Sequence, residues 1–536
     1  LPFCFVLASV FCLVGQIIKL IIGLLWGNVI YKGWHIICHL IIYGVAFLDI
    51  YLLTAFKLTI SHDTLLLLLQ TNTDEAKEFI NIYLFEKSFL LCILIFTILG
   101  FAEWLVLKYS HKINVFKHYF VVILCVISFS IGLYACRFAY SAFSISDPTD
   151  AYDALGKIRE NSLFKAYFTT LLTKEDLKMG EVLDKHISDT RVNSRTQYNG
   201  KIVLIIGESH MKGHSALYGY NKTTNPNLAL LKDNLNVYQD VITHVNKTHI
   251  TLREMLSTSS VDDDIEWNKV TLFPAVFKTA GWNVVFCSNQ ISSSVSKDIW
   301  NAALDAFLNT PKTTEACFST RNSSIFKYDE QMVDSFIVNR NKAIDFQRPS
   351  LYIIQLKGQH MKYDERFPKN QAHFTNADYS DRVNLTNSQK QIVADYDNAC
   401  RYSDKQLYKL FKAFEADDAI VIYMSDHGEE VYDYRDKQGR FADLKDNAPI
   451  SYHCQIDVPF VVYMTESFKR NHPEKARRVE SSIARPFMTD DICHMLFYLG
   501  DVDTEWFDPK RCLIHDDYNT KRKRRLYYGE YYEDWV

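Results

Sequence analysis

Four apolar segments at the start of the chain constrain its folding most. They span about Leu1–Leu25, His35–Phe56, Tyr83–Leu107 and Val115–Arg137. Each is long enough to cross a bilayer, which takes roughly 20 apolar residues. Four such runs in succession are rare in soluble cores, so residues 1–143 read as a transmembrane helical bundle. The turn between the third and fourth segments carries Lys108, Lys112 and Lys117 and no acid, which predicts a cytoplasmic side. Asp63, Asp74, Glu75 and Glu78 in the preceding loop, and Asp147, Asp150 and Asp153 after the fourth segment, predict the opposite side. Everything C-terminal to the bundle is therefore expected outside the cytoplasm. Leu1 already lies inside an apolar run, which predicts a further span ahead of it. The loop Ser61–Ile80 reads either as an amphipathic helix on the membrane surface or as a plain connector.

Beyond the bundle the character changes. Residues 144–200 are polar and helix-prone, a linker, and residues 201–536 read as a globular domain. A net charge of -4 offers no electrostatic footprint for nucleic acid. Of 12 cysteines, Cys287, Cys317, Cys400, Cys454, Cys493 and Cys512 fall in the globular part. None forms a C-x-x-C pair, which argues against a zinc–thiolate site, and disulfides stay open.

From Lys201 short apolar runs alternate with helical stretches: KIVLIIGES, WNVVFCSNQ, SLYIIQLKG, AIVIYMSDHGEE and VPFVVYMTE. Unbroken Val/Ile/Tyr runs of this length suit parallel strands buried on both faces, and alternation with helices predicts a doubly wound α/β sheet. Sites in such sheets form at the carboxyl ends of the strands. Polar groups stand there: Glu208 and Ser209, Asn289, His360, and Asp426 with His427. Carboxylate and imidazole groups converging past buried strands suit zinc or manganese, since an uncompensated charge there is costly.

Several segments carry a resemblance. GESHMKGHSALYGYNKTTNPNL (207–228), SDHGEE (425–430), ADYDNACRYSDKQL (394–407) and QTNTDEAKEF (70–79) resemble, in this order, words of the membrane-anchored phosphoethanolamine transferases of the alkaline phosphatase/sulfatase superfamily. Thr223-Thr224-Asn225-Pro226 departs from the usual word by an inserted Asn, and Lys212 stands near where Arg is common. The resemblance implies an alkaline phosphatase/sulfatase-type α/β domain in the periplasm, anchored in a bacterial inner membrane by several spans. It implies a zinc site (manganese as the alternative) made by Glu208, Thr248, Asp426 and His427. Thr248, in HVNKTHITLREMLS (244–257), is the implied nucleophile, with Thr251 as its rival. His360, His453 and Asn289 are implied substrate contacts. The cysteines that flank this loop in some relatives are absent.

The implied reaction moves phosphoethanolamine from phosphatidylethanolamine, through a phospho-threonine, to a lipopolysaccharide component, lipid A or core. Two other readings stand beside it: a phosphoglycerol transferase of the lipoteichoic-acid-synthase kind, and a non-catalytic membrane scaffold. No Cys-x-Pro-x-Arg or Ser-x-Pro-x-Arg segment favours a secreted sulfatase. The basic run Lys521–Arg525 reads as a solvated helix or tail, or as a contact for anionic lipid or lipopolysaccharide phosphates.

Overall fold

The computed structural model describes residues 180–290 except 195–197, 306–434 except 341, 343–344, 346–347 and 361, then 438–439, 449–526 and 529–534. Before these it describes 40–52, 54, 60, 87–109 and 167. Two compact units emerge, Leu1–Lys178 with Ser296–Ala306, and Met179–Val295 with Phe307–Val536.

In the first unit, helical residues 40–52 pack against helix α1, Lys87–Tyr109. Aromatic rings mesh between them: Tyr43 and Phe47 on Phe96 at 6.0 and 5.4 Å, and Tyr51 on Phe89 at 5.4 Å. Leu90, Leu94 and Ile98 on α1 are exposed. Among the described residues no helix is long and apolar enough to cross a membrane. The first and fourth expected spans and the loop Ser61–Ile80 lie outside the described residues.

The second unit is built on a seven-stranded sheet. Its strands in chain order are β1 (Lys201–Gly207), β2 (Leu235–Val237), β3 (Asn283–Ser288), β4 (Thr320–Arg321), β5 (Ser350–Gln355), β6 (Ala419–Ser425) and β7 (Phe460–Met464). The spatial order is β2-β7-β6-β1-β5-β3-β4. The five strands from β6 to β4 run parallel. The last expected strand, β7, is antiparallel to β6 and pairs with β2 at the edge. The five apolar runs of the sequence are β1, β3, β5, β6 and β7.

Alternation along each strand feeds two cores, as the two-residue side-chain period requires. Ile202, Leu204 and Ile206 join Val284, Phe286, Leu351, Ile353, Ile420 and Ile422 on one face. Val203 and Ile205 join Val285, Tyr352, Ile354, Val421 and Tyr423 on the other. Leu183 and Ile187, on the helical stretch 180–187, are buried in the first of these cores. The six cysteines of this unit are buried and unbridged.

The basic run near the C-terminus is neither a helix nor a loose tail. Arg522 reaches Asp262 at 2.7 Å and Asp490 at 3.2 Å and also pairs with Asp491. Arg524 is buried between Asp240 at 2.6 Å and Glu533 at 2.7 Å. Arg522 neutralises the buried Asp490 and Asp491, and Arg524 is itself buried, which ties the segment inward, while Lys521, Lys523 and Arg525 are exposed.

Candidate metal and catalytic site

Register explains why two distant motifs meet. β1 and β6 are parallel neighbours with Gly207 opposite Ser425, so both strands end at the same level. The next residues, Glu208 and Asp426, leave the sheet side by side, and the Asp426 N–H donates to the Gly207 carbonyl at 3.1 Å. Ser209 then turns through a left-handed conformation (φ 55). Its N–H donates to Asp426 Oδ1 at 3.0 Å and its hydroxyl to Glu208 Oε1 at 2.7 Å, which fixes both carboxylates. A left-handed non-glycine residue costs roughly 1–2 kcal/mol, and these two bonds offset it.

His427 completes the strand-end group. Its Nε2 lies 3.4 Å from Glu208 Oε1 and 3.3 Å from Asp426 Oδ2. Its Nδ1 meets the Gly428 carbonyl at 2.7 Å, so Nδ1 carries the proton and Nε2 presents a lone pair. Gly428 is required by close approach: a Cβ there would lie 2.1 Å from the Cys454 carbonyl oxygen. Gly358, beyond β5, has φ +51 and backs Glu208 so closely that a Cβ would meet its carbonyl oxygen at 2.7 Å.

The fourth member arrives on helix α2, Thr248–Leu256, of which Thr248 is the first residue. Its hydroxyl donates to Glu208 Oε2 at 3.2 Å and lies 3.1 Å from His427 Nε2. Thr251, one turn on, is fully buried, and its hydroxyl bonds the Val245 carbonyl at 3.3 Å. Of the two threonines, only Thr248 is hydrogen-bonded to Glu208 and His427.

Glu208, Asp426 and His427 are all buried, and each offers a ligand atom within 4.8 Å of the others. Two carboxylates and an imidazole facing one point fit a divalent cation. Two like charges this close repel, and a cation between them removes that cost. Oxygen with imidazole nitrogen suits zinc or manganese.

The other expected residues are placed differently. Asn289 is buried and serves the protein interior: its amide donates to Asp329 Oδ1 at 2.8 Å and its carbonyl accepts from Phe326 N–H at 2.7 Å. The next residue, Gln290, reaches Glu208 Oε2 at 3.2 Å while also donating to the Leu356 carbonyl at 2.7 Å. Sequence reading missed it; its one signal was its place just past β3. His360 is exposed, two residues beyond Gly358. His453, on helix Pro449–Ile456, turns Nδ1 toward Asp457 at 3.3 Å and packs its ring on Tyr532.

Comparison with known proteins agrees in fold. The phosphoethanolamine transferase EptC of Escherichia coli O18:K1:H7 is 25% identical over 499 residues, covering 90% of this chain and 80% of that protein. The crystal structure of the C-terminal periplasmic domain of EcEptC from Escherichia coli in complex with Zn superposes with a TM-score of 0.54 at 24% identity, covering 64% of this chain and 93% of that one. The integral membrane protein lipooligosaccharide phosphoethanolamine transferase A of Neisseria meningitidis gives 0.57 at 19% identity, covering 92% of this chain and 88% of that one. The family described as Sulfatase matches residues 201–499, more than half of the chain, and this protein is a member of that family.

Proposed function

We propose that the protein is a zinc-dependent phosphoethanolamine transferase of the bacterial inner membrane, with its α/β domain in the periplasm. The single observation that carries this is the Thr248 hydroxyl, held on the first turn of α2 within 3.2 Å of Glu208 and 3.1 Å of His427. The names of its relatives point to the same transfer. Glu208, Thr248, Asp426 and His427 would hold the metal. Such an ion, when bound, lowers the pKa of a hydroxyl ligand and neutralises phosphoryl charge.

The chain's own residues do the rest. Ser209 and Gln290 hold the two Glu208 oxygens, and Thr248 opens α2, whose N-terminal end favours an anionic phosphoryl group. Thr248 Oγ1 forms a bond to the phosphorus of phosphatidylethanolamine, and the bond to the glycerol oxygen breaks. Diacylglycerol leaves with the proton. A hydroxyl or phosphate of the acceptor then attacks the phospho-threonine and frees Thr248. His360, exposed beyond β5, and His453 are assigned to substrate phosphate, and Asn289 to shaping the loop beside it. The exposed apolar side chains of α1 support a bundle set in lipid, where donor and acceptor both reside.

The test uses cells with and without the protein and mass spectrometry of their lipopolysaccharide. A phosphoethanolamine-sized gain on lipid A or core, lost in Thr248→Ala at equal protein level, is the expected result. A glycerol-phosphate gain would move the protein to the phosphoglycerol transferases. Full transfer by Thr248→Ala would refute the nucleophile.

A further inference from the structure

A buried histidine with two acidic partners links the two segments that follow β1 and β6. His214 lies six residues beyond Glu208, and Asp433 six beyond His427. His214 Nδ1 bonds Asp397 Oδ1 at 2.5 Å, and its Nε2 meets Asp433 Oδ2 at 3.1 Å. Asp397 belongs to helix α4, Asn387–Ala413; α3 is Asp329–Asn339, which packs beside it. The adjacent Tyr396 places its hydroxyl between the Ser209 carbonyl (2.6 Å) and the Met211 N–H (2.8 Å). One helix turn thus grips the Glu208 segment at both ends, through Tyr396 near Ser209 and Asp397 at His214. Asp433 is held from its own side by Glu430, which accepts its N–H at 2.7 Å, and by Arg382 at 3.2 Å.

We propose that His214, clamped between Asp397 and Asp433, is a positioning residue that holds the Glu208 and Asp426–His427 segments in register for metal binding. The inference rests on the metal site proposed above. Two features distinguish this histidine from an ordinary core residue. Both ring nitrogens face carboxylates, so the ring joins two segments rather than filling space. Asp397 is also fully served, taking hydroxyls from Tyr220 at 2.7 Å and from Tyr379. The charges agree: burial opposes a charge on His214, but Asp397 and Asp433 outweigh it and raise the ring to about 10. Against the effect of burial, His214 and Arg382 hold Asp433 below the usual carboxylate range. His214 and Asp433 are therefore charged together at neutral pH.

Groups that orient metal ligands from behind typically change metal affinity by about 10–100-fold when removed. The test is zinc affinity of the full-length protein in detergent, read by competition with a chelator, for wild type, His214→Gln, Asp433→Asn and the double variant. Each single variant is expected to weaken zinc about 10–100-fold, and the double variant no further than the weaker single. Single variants that melt lower yet bind zinc as wild type does would reduce the clamp to a packing role and overturn the proposal. Additive losses in the double variant would overturn it too. If His214→Gln fails to fold, Asp433→Asn, which keeps the Asp397 contact, decides alone. A wild type that binds no zinc would sink the metal site itself, and this inference with it.

Discussion

Gly428→Ala tests whether the site is as tightly built as it looks. The glycine separates His427 from Glu429, and its N–H donates to the Gln455 carbonyl at 2.8 Å. A Cβ would sit 2.1 Å from the Cys454 carbonyl oxygen. Ordinary non-bonded contact needs about 3.5 Å, so the backbones must part by over about 1 Å. The clashing atom is main chain and cannot rotate aside. The Gly428 carbonyl also fixes the His427 tautomer, so any shift moves the imidazole. A misplacement of about 1 Å at reacting groups costs about 100-fold in rate, and forced overpacking costs about 1–3 kcal/mol in stability. The assay is transfer of labelled headgroup from phosphatidylethanolamine by purified protein, with calorimetric melting on the same samples. We expect kcat to fall about 100-fold while melting shifts by only a few degrees. Wild-type kcat in Gly428→Ala would refute the claim that this contact sets the position of His427.

Two further predictions concern charge. Arg522→Ala leaves Asp490 and Asp491 buried without their cation, and breaking such a buried set costs about 3–5 kcal/mol. Urea unfolding should show that loss, whereas a variant of unchanged stability that binds anionic vesicles less would restore the lipid-contact reading of the basic run. The second is a pH effect. The raised pKa of His214 means that its stabilisation is complete below about 6.5, its unfolded value, declines as pH rises, and is gone above about 10. The difference in melting temperature between wild type and His214→Gln should therefore shrink from pH 6.5 to 10; a constant difference would show that the ring is neutral in the fold.

The parts legible in the sequence are those in which local pattern and burial coincide. β1, β3, β5 and β6 are continuous apolar runs because both faces of the parallel sheet are covered. The direction of β7 was not legible, since an apolar run carries no sign of which way it enters the sheet. Strands β2 and β4, three and two residues long, leave no pattern at all. At the site, Glu208 and Asp426–His427 stood out as charges just past buried strands. Asn289 and Gln290 both follow β3, but one side chain turns inward to Asp329 and its neighbour turns to Glu208. Thr248 and Thr251 lie on the same helix, one turn apart, and tertiary packing alone separates their roles. Arg522 and Arg524 looked as solvated as their neighbours because their partners, Asp240, Asp262, Asp490 and Asp491, are far away along the chain. His214 had no local signal, because its two partners lie 183 and 219 residues further along the chain.

The pairing of β1 with β6 also sets an order of events during synthesis. Ser209 and the Asp426 side chain that it binds are 217 residues apart, and Thr248 and His427 are 179 apart. A growing chain therefore displays Glu208 and Thr248 long before Asp426 exists. A half-made domain offers an ion isolated single ligands, with no cage to retain it. For the metal site proposed above, loading must wait until β6 has slotted in beside β1, so a filled centre would certify that the sheet has closed. Metal starvation should then act late, on finished domains, and leave the earlier steps of biogenesis untouched.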